Sequence, residues 1–127
     1  TAFQNVTLPL IYAGVSARER RDRSRAALEA VGLGDRLDHR PNELSGGQQQ
    51  RVAVARAIAG KPALVLADEP TANLDSKTGN ELIDLMKQLN EERKVTFVFA
   101  THDPKVMEKA TRVVHLTDGK IDDDTRK

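Results

Sequence analysis

Three clusters of residues have the types and spacing for work on a phosphate. The first is Asp68-Glu69, two adjacent carboxylates after the apolar run Ala63-Leu64-Val65-Leu66-Ala67. Adjacent acids can divide the labour: one holds a hard divalent cation, directly or through water, while the other orients and polarises an attacking water. The second is Thr101-His102-Asp103, which follows another largely apolar run, Val95 to Ala100. The third is Ser45-Gly46-Gly47-Gln48, which presents backbone N–H groups at a helix start with no side chain to fend off an anion. A helix N-terminus carries about half a positive charge, so a phosphate oxygen suits it. Each cluster also has a plainer reading when taken alone. Asp68-Glu69-Pro70 could be a helix-capping turn, and Ser45 to Gln48 an ordinary capping box.

The elements around these clusters decide whether they meet. Both apolar runs are strand length, and their continuity predicts strands buried on both faces. Between them, Leu82, Leu85, Met86 and Leu89 recur at three and four, which places one stripe on a helix from about Lys77 to Glu92. Strand, crossover helix and strand make a right-handed unit with parallel strands. Ligands of open parallel sheets bind beyond the carboxyl ends of the strands. Asp68-Glu69 and Thr101-His102 therefore belong at one edge, with Pro70 to Asp75 as a turn.

Upstream, Thr1 to Val15 reads as a short helix or loop interrupted by Pro9 and Gly14. Ser16-Ala17-Arg18-Glu19 is a capping box for a helix that runs to about Val31 and stops at Gly32. Gly34 to Glu43 is expected to be loop, with Pro41 barring helix, and the Ser45 box opens a helix that ends near Gly60. Downstream, a short helix from Pro104 to Ala110 and a third strand, Arg112 to Leu116, are expected. Asp118-Gly119 is a tight-turn signal leading to a short strand around Ile121, and Asp122 to Lys127 reads as a solvated tail.

Composition narrows the classes. The 127 residues suit one domain with a modest core. Apolar residues make up 39% and charged residues 31%, which argues against wholesale disorder. A net charge of +1 gives no reason to expect nucleic acid as a partner. There is no cysteine, hence no disulfide and no thiolate metal site. No apolar stretch approaches the ~20 residues that span a bilayer. The arginines at 18, 20, 21, 23 and 25 are interleaved with Glu19, Asp22 and Glu29 and lack aromatic company, so a solvated helix is expected there. His39 and His115 have no ligand-spaced companions, and Gln49 and Gln50 read as surface polar residues. Met86, Phe97 and Phe99 read as packing residues.

The order of these clusters carries a resemblance. Leu44-Ser45-Gly46-Gly47-Gln48, then Gln49-Gln50-Arg51-Val52-Ala53, then the strand with Asp68-Glu69-Pro70-Thr71, then a histidine after the next strand resembles the ATP-hydrolysing subunit of ABC transporters. The resemblance extends from Thr1 to about Ile121. Leu8-Pro9-Leu10-Ile11-Tyr12-Ala13-Gly14-Val15 and His39-Arg40-Pro41 are similar to the subgroup that powers lipoprotein release and macrolide export, although Ala72 stands where that subgroup usually has Gly. The implied fold is α/β: the C-terminal part of a P-loop NTPase-like parallel sheet core plus an ABC-type helical subdomain, with residues 1–62 helical subdomain and 63–127 core. No Gly-x-x-x-x-Gly-Lys-[Ser/Thr] run occurs, so the chain is expected to be truncated before the phosphate loop and Q-loop and to be inactive alone.

The resemblance also implies roles. Asp68 would close the Walker B motif and position Mg²⁺, Glu69 would be the catalytic base or water-orienting carboxylate, and His102 would be the switch histidine at the γ-phosphate. Ser45, Gly46, Gly47 and Gln48 would contact ATP held by an opposite subunit, and Asp75 belongs to the turn that communicates across that dimer. The implied partners are a second ATPase subunit, head to tail across two ATP molecules, and a transmembrane permease. The implied location is the cytoplasmic face of the cell membrane. Two rivals share some of these residues. An SMC or DNA-repair ATPase has the same signature and acid pair, but such proteins carry long coiled coils, and only about 14 residues separate Gln48 from Ala63 here. A non-catalytic assembly module is the other.

Overall fold

Apolar residues four apart line one face of a helix. In the computed structural model, which describes residues 1–127, Ala2, Val6 and Leu10 form such a buried row on α1 (Ala2–Tyr12). Pro9 lies inside this helix instead of interrupting it. It forfeits one i→i−4 bond, and burial of the Ala2–Val6–Leu10 row offsets that loss. α2 (Ala17–Ala30) starts at Ser16, whose hydroxyl accepts from Glu19 N–H, and ends where Gly32 turns left-handed at φ 78°. A short 3-10 turn over Pro41–Glu43 corrects the expectation that Pro41 bars helix: proline at the first position has no N–H to waste. α3 (Gly46–Ile58) buries Val52, Val54, Ala55 and Ile58.

The second half alternates. β1 (Leu64–Asp68) and β2 (Thr96–Ala100) pair in parallel, with α4 (Ser76–Arg93) as the crossover. Val65 pairs with Phe97 and Ala67 with Phe99 on one face; Leu64 pairs with Thr96, Leu66 with Val98 and Asp68 with Ala100 on the other. Only the first face is covered: Ala67, Phe97 and Phe99 pack on the core, while Leu66 is 74% exposed. This corrects the expectation of strands buried on both faces. A strand is buried twice only when a layer lies on each side of it, and here the packed helices form one layer. α4 contributes Leu82, Ile83, Met86 and Leu89 to a single cluster that also contains residues of α1, α2 and α3.

α5 (Pro104–Lys109) follows, and β3 (Arg112–Thr117) and β4 (Lys120–Arg126) form a separate antiparallel hairpin. Asp118 and Gly119 both take positive φ, as a tight two-residue hairpin turn requires. β4 replaces the expected solvated tail. Its residues are all exposed, but a ladder uses backbone groups, so polar side chains do not prevent pairing. No helix is long and apolar enough to cross a membrane.

Candidate functional site

The parallel register delivers the acid pair to the histidine. Glu69 N–H donates to the Ala100 carbonyl at 2.8 Å, which carries the pairing one step beyond the strands and sets Glu69 beside Thr101-His102. His102 Nδ1 lies 2.8 Å from Glu69 Oε1. Thr101 Oγ1 is 3.4 Å from Glu69 Oε2, a long contact, and it accepts the Asp103 N–H at 3.0 Å. The His102 side chain is 93% exposed and Glu69's 34%, so the carboxylate is partly enclosed while the ring stands in solvent. The contact uses Nδ1 and leaves Nε2 for a second partner.

Glu69 has a left-handed backbone, φ 46°. For a residue with a Cβ this costs of order 1–3 kcal/mol and persists only where surrounding contacts over-determine it. Three contacts do so. The Glu69 amide is held by Ala100, its carbonyl accepts from Ala72 N–H at 3.1 Å, and the next carbonyl, that of Pro70, accepts from Gln50 Nε2 at 2.9 Å. Asp68 ends β1 on its exposed face. No three His, Asp or Glu side chains gather into a metal-binding group. One terminal carboxylate does fit the way Mg²⁺ is bound beside nucleotides, through one or two carboxylates, waters and substrate phosphates.

The turn from Pro70 leads into α4. Its cap is Asp75, whose carboxylate accepts from Thr78 N–H at 3.3 Å; hydrogen bonding from the Thr78 side chain first, and from this N–H second, holds the Asp75 carboxyl below its ordinary value. The capping duty thus falls to Asp75, not to Asp68-Glu69. Thr71 Oγ1 donates to Asp103 Oδ2 at 3.2 Å, and Lys105 Nζ donates to Ser76 Oγ at 2.8 Å, so the turn is tied to the segment after His102. These residues border a polar cleft of about 240 Å³.

At the start of α3, Ser45 and Gln48 cap reciprocally: Gln48 N–H donates to Ser45 Oγ at 3.1 Å and Ser45 N–H to Gln48 Oε1 at 2.9 Å. Amides in the first turn of a helix have no intrahelical acceptor, so those of Gly46 and Gly47 remain for a ligand. Gly46 is exposed and Gly47 buried. A Cβ on Gly47 would collide with Thr78 Cγ2, whereas one on Gly46 would meet Leu74 at an ordinary 3.5 Å. The structure thus brings Glu69 and His102 together directly. It sets the tip of α3 against the Leu74–Thr78 segment instead.

Gln50 corrects a sequence expectation, while Gln49 lies at the surface as expected. Gln49 Nε2 donates to the carbonyls of Pro41 and Leu44, and Gln50 to that of Pro70. The signal for Gln50 was its spacing, three after Gly47 and four before Val54, on the stripe of α3 that faces inward. The expected solvated helix, α2, is also partly tied down, because Arg20 donates to the Val15 carbonyl and Arg23 to that of Ala59. His39 Nδ1 is buried without a partner.

A family profile described as "ABC transporter" matches residues 1–72. An uncharacterised ABC transporter ATP-binding protein of Thermotoga maritima is 57% identical over 96% of this chain and 52% of its own length. The macrolide export ATP-binding/permease protein MacB of Rhodopirellula baltica is 52% identical over 99% of the chain but only 19% of its own length. Among solved structures, the dimeric ATP-binding cassette MJ0796 in a post-hydrolysis state with ADP and Pi superposes with a TM-score of 0.80 at 47% identity, over 99% of this chain and 56% of that one. The cbiO1 protein of Clostridium perfringens gives 0.91 at 28% identity. The chain therefore spans about half the length of such single-cassette relatives. With more than half of its residues under the family profile, and with its acid pair, histidine and glycine-started helix in this arrangement, the chain belongs to the ATP-binding subunits of ABC transporters.

Proposed function

We propose that this chain is the part of an ABC-type ATPase that supplies the water-orienting carboxylate of its own nucleotide site and the glycine-started helix tip of a partner's site. The observation that carries the reading is the 2.8 Å contact of Glu69 with His102 at the common carboxyl end of two parallel strands. Glu69 would orient the attacking water and accept its proton as the oxygen–phosphorus bond forms and the bond to the β-phosphate oxygen breaks. His102, steadied through Nδ1, would meet the γ-phosphate charge with its remaining edge. Asp68 would hold Mg²⁺ together with substrate oxygens, and that ion would neutralise developing phosphate charge.

Gly46 and Gly47 amides, with Ser45 and Gln48 fixing the helix tip, would meet ATP carried by a second subunit, head to tail, and Asp75 would lie in the segment facing that subunit. Residues 1–62 would form the helical subdomain and 63–127 the C-terminal part of the core. A transmembrane permease on the cytoplasmic side of the membrane would be driven by the cycle. The MacB relatives, named for macrolide export, support export over a DNA-repair role, and lipoprotein release remains the other task of the resembled subgroup. The phosphate loop has no counterpart in these residues, so the 127-residue chain alone would neither bind ATP tightly nor hydrolyse it.

The deciding experiment is steady-state ATP hydrolysis by the full-length gene product and its Glu69→Gln variant. A loss of at least about 100-fold in kcat, with ATP binding retained, is expected. Turnover within a few-fold of the unmodified protein would sink the assignment of Glu69.

A further inference from the structure

We infer that Gln50 is a positioning residue for Glu69: its side-chain amide ties the helix whose tip meets a partner's nucleotide to the strained turn that carries the water-orienting carboxylate. The inference rests on the reading of Glu69 given above.

Three observations converge on it. Glu69 sits at φ 46°, a conformation its own chemistry disfavours, so its neighbours must hold it. Pro70, the next residue, is buried and has no N–H, which leaves its carbonyl as the one backbone group able to anchor it. That carbonyl accepts from Gln50 Nε2 at 2.9 Å, across 20 positions of sequence. No shorter-range donor takes this role. The turn's own bonds run from Ala72 N–H to Glu69 and from Leu74 N–H to Thr71.

The tie to α3 is not a lone bond. Gly47 is buried against Thr78, with no room for a Cβ, and Gly46 lies against Leu74. The first turn of α3 therefore rests on the Leu74–Thr78 segment while Gln50, one turn further along, grips Pro70. Helix tip and turn are fixed at both ends, so they shift as one body. In a head-to-tail pair the helix tip meets the partner's ATP, whereas Glu69 serves the site of its own subunit. Docking of the tip at one site is thereby transmitted, through Gln50 and the Pro70 carbonyl, to the angle at which Glu69 presents its carboxylate at the other.

The test compares three variants of the full-length protein: Gln50→Met, which keeps the length of the side chain and removes the donor; Gln50→Lys, which restores a donor; and Glu69→Gln. Turnover is normalised to nucleotide-binding sites titrated in the same samples, so that loss of folded protein drops out. Gln50→Met is expected to lower kcat about tenfold with the KM for ATP within about twofold, and Gln50→Lys to recover most of that loss. Gln50→Met with unchanged kcat, beside an inactive Glu69→Gln, overturns the positioning role and leaves the assignment of Glu69 standing. Equal impairment of the Met and Lys variants, tracking an equal fall in melting temperature, overturns it as well. An active Glu69→Gln would instead overturn the reading on which the inference rests.

Discussion

The shared helical cluster and the strand β1 treat leucine in opposite ways. Leu28, Leu82 and Leu89 on helices are at most 2% exposed, whereas Leu66 on β1 is 74% exposed and Leu64 51%. The difference does not lie in the side chains. α1 to α4 pack on one another around a shared cluster, while the β1–β2 pair offers one face to that cluster and the other to solvent. An apolar run therefore reports that a strand is suited to burial, and its partners decide whether it is buried. The candidate site lies on the boundary between the two regimes: the covered face anchors the strands, and their ends project the acid pair and the histidine.

The largest expected effect contrasts the two regions directly. Leu82→Ala, in the shared cluster, should cost about 2–5 kcal/mol, the lost transfer energy plus a cavity term. Leu66→Ala in the same 127-residue chain should stay within about 0.5 kcal/mol, as substitutions at exposed positions usually do. Urea unfolding of both variants reads the difference. Equal losses would mean that the outer face of β1 is covered after all.

A second contrast sits within one motif. Gly46 and Gly47 are neighbours with the same side chain, and resemblance alone gives them one role. Only Gly47 is closed off by Thr78. Gly47→Ala should therefore destabilise by about 1–3 kcal/mol through overpacking, while Gly46→Ala stays near zero. Adding Thr78→Ser, which deletes the obstructing methyl, should return most of the stability to Gly47→Ala. Loss of nucleotide response in the Gly46→Ala variant of the full-length protein, without loss of stability, would then isolate the backbone's approach to phosphate.

Much of this was legible in sequence because periodicity and caps are local. The stripe on α4, the Ser45 box, the Ser16 cap (its Glu19 side chain turns to Arg23 instead of closing the box), Gly32 and the Asp118-Gly119 turn all fall where residue chemistry places them. The meeting of Glu69 with His102 was legible too, because a parallel crossover puts both strand ends at one edge. What escaped depended on partners far away in sequence. The exposed faces of β1 and β2, the choice of the Pro70 carbonyl as partner for Gln50 and the Thr71–Asp103 bond cannot be read from any window of ten residues. Pro9 inside α1 and the extension of β4 to Arg126 escaped for another reason: tertiary burial in one case and ladder pairing in the other overrode local propensity.

A smaller effect belongs to the acid that caps α4. Asp75 caps α4, and hydrogen bonding from Thr78, side chain first and backbone N–H second, depresses its pKa below the ordinary 3.8. A carboxyl whose folded pKa is depressed stabilises the fold above its unfolded value and loses that contribution as pH falls through the folded one. The stability advantage of the unmodified chain over Asp75→Asn should thus be constant at neutral pH and shrink on acidification below 3.8. Urea midpoints across that range check it. An advantage that grew on acidification would contradict the cap.

The smallest effect belongs to the hairpin, where nothing of β4 is buried. Arg112 grips Asp124 through both its Nε, 2.9 Å from Oδ1, and its Nη2, 2.6 Å from Oδ2. The pair holds the Asp124 carboxyl below its usual range and the Arg112 guanidinium above its own, shifts that agree in sign. Both side chains are nonetheless well exposed, so water and salt screen the attraction. Because β3 and β4 form a sheet of their own, loosening one end of their ladder need not disturb the helical cluster. Arg112→Met should therefore leave the global unfolding midpoint almost unchanged yet speed amide hydrogen exchange along β4. The same acceleration should appear in the unmodified chain at high salt, or as pH falls through the depressed pKa of Asp124. A global midpoint that moved as far as that of Leu82→Ala would show the hairpin and the helical core unfolding as one cooperative unit, and the contrast between the two regions would collapse.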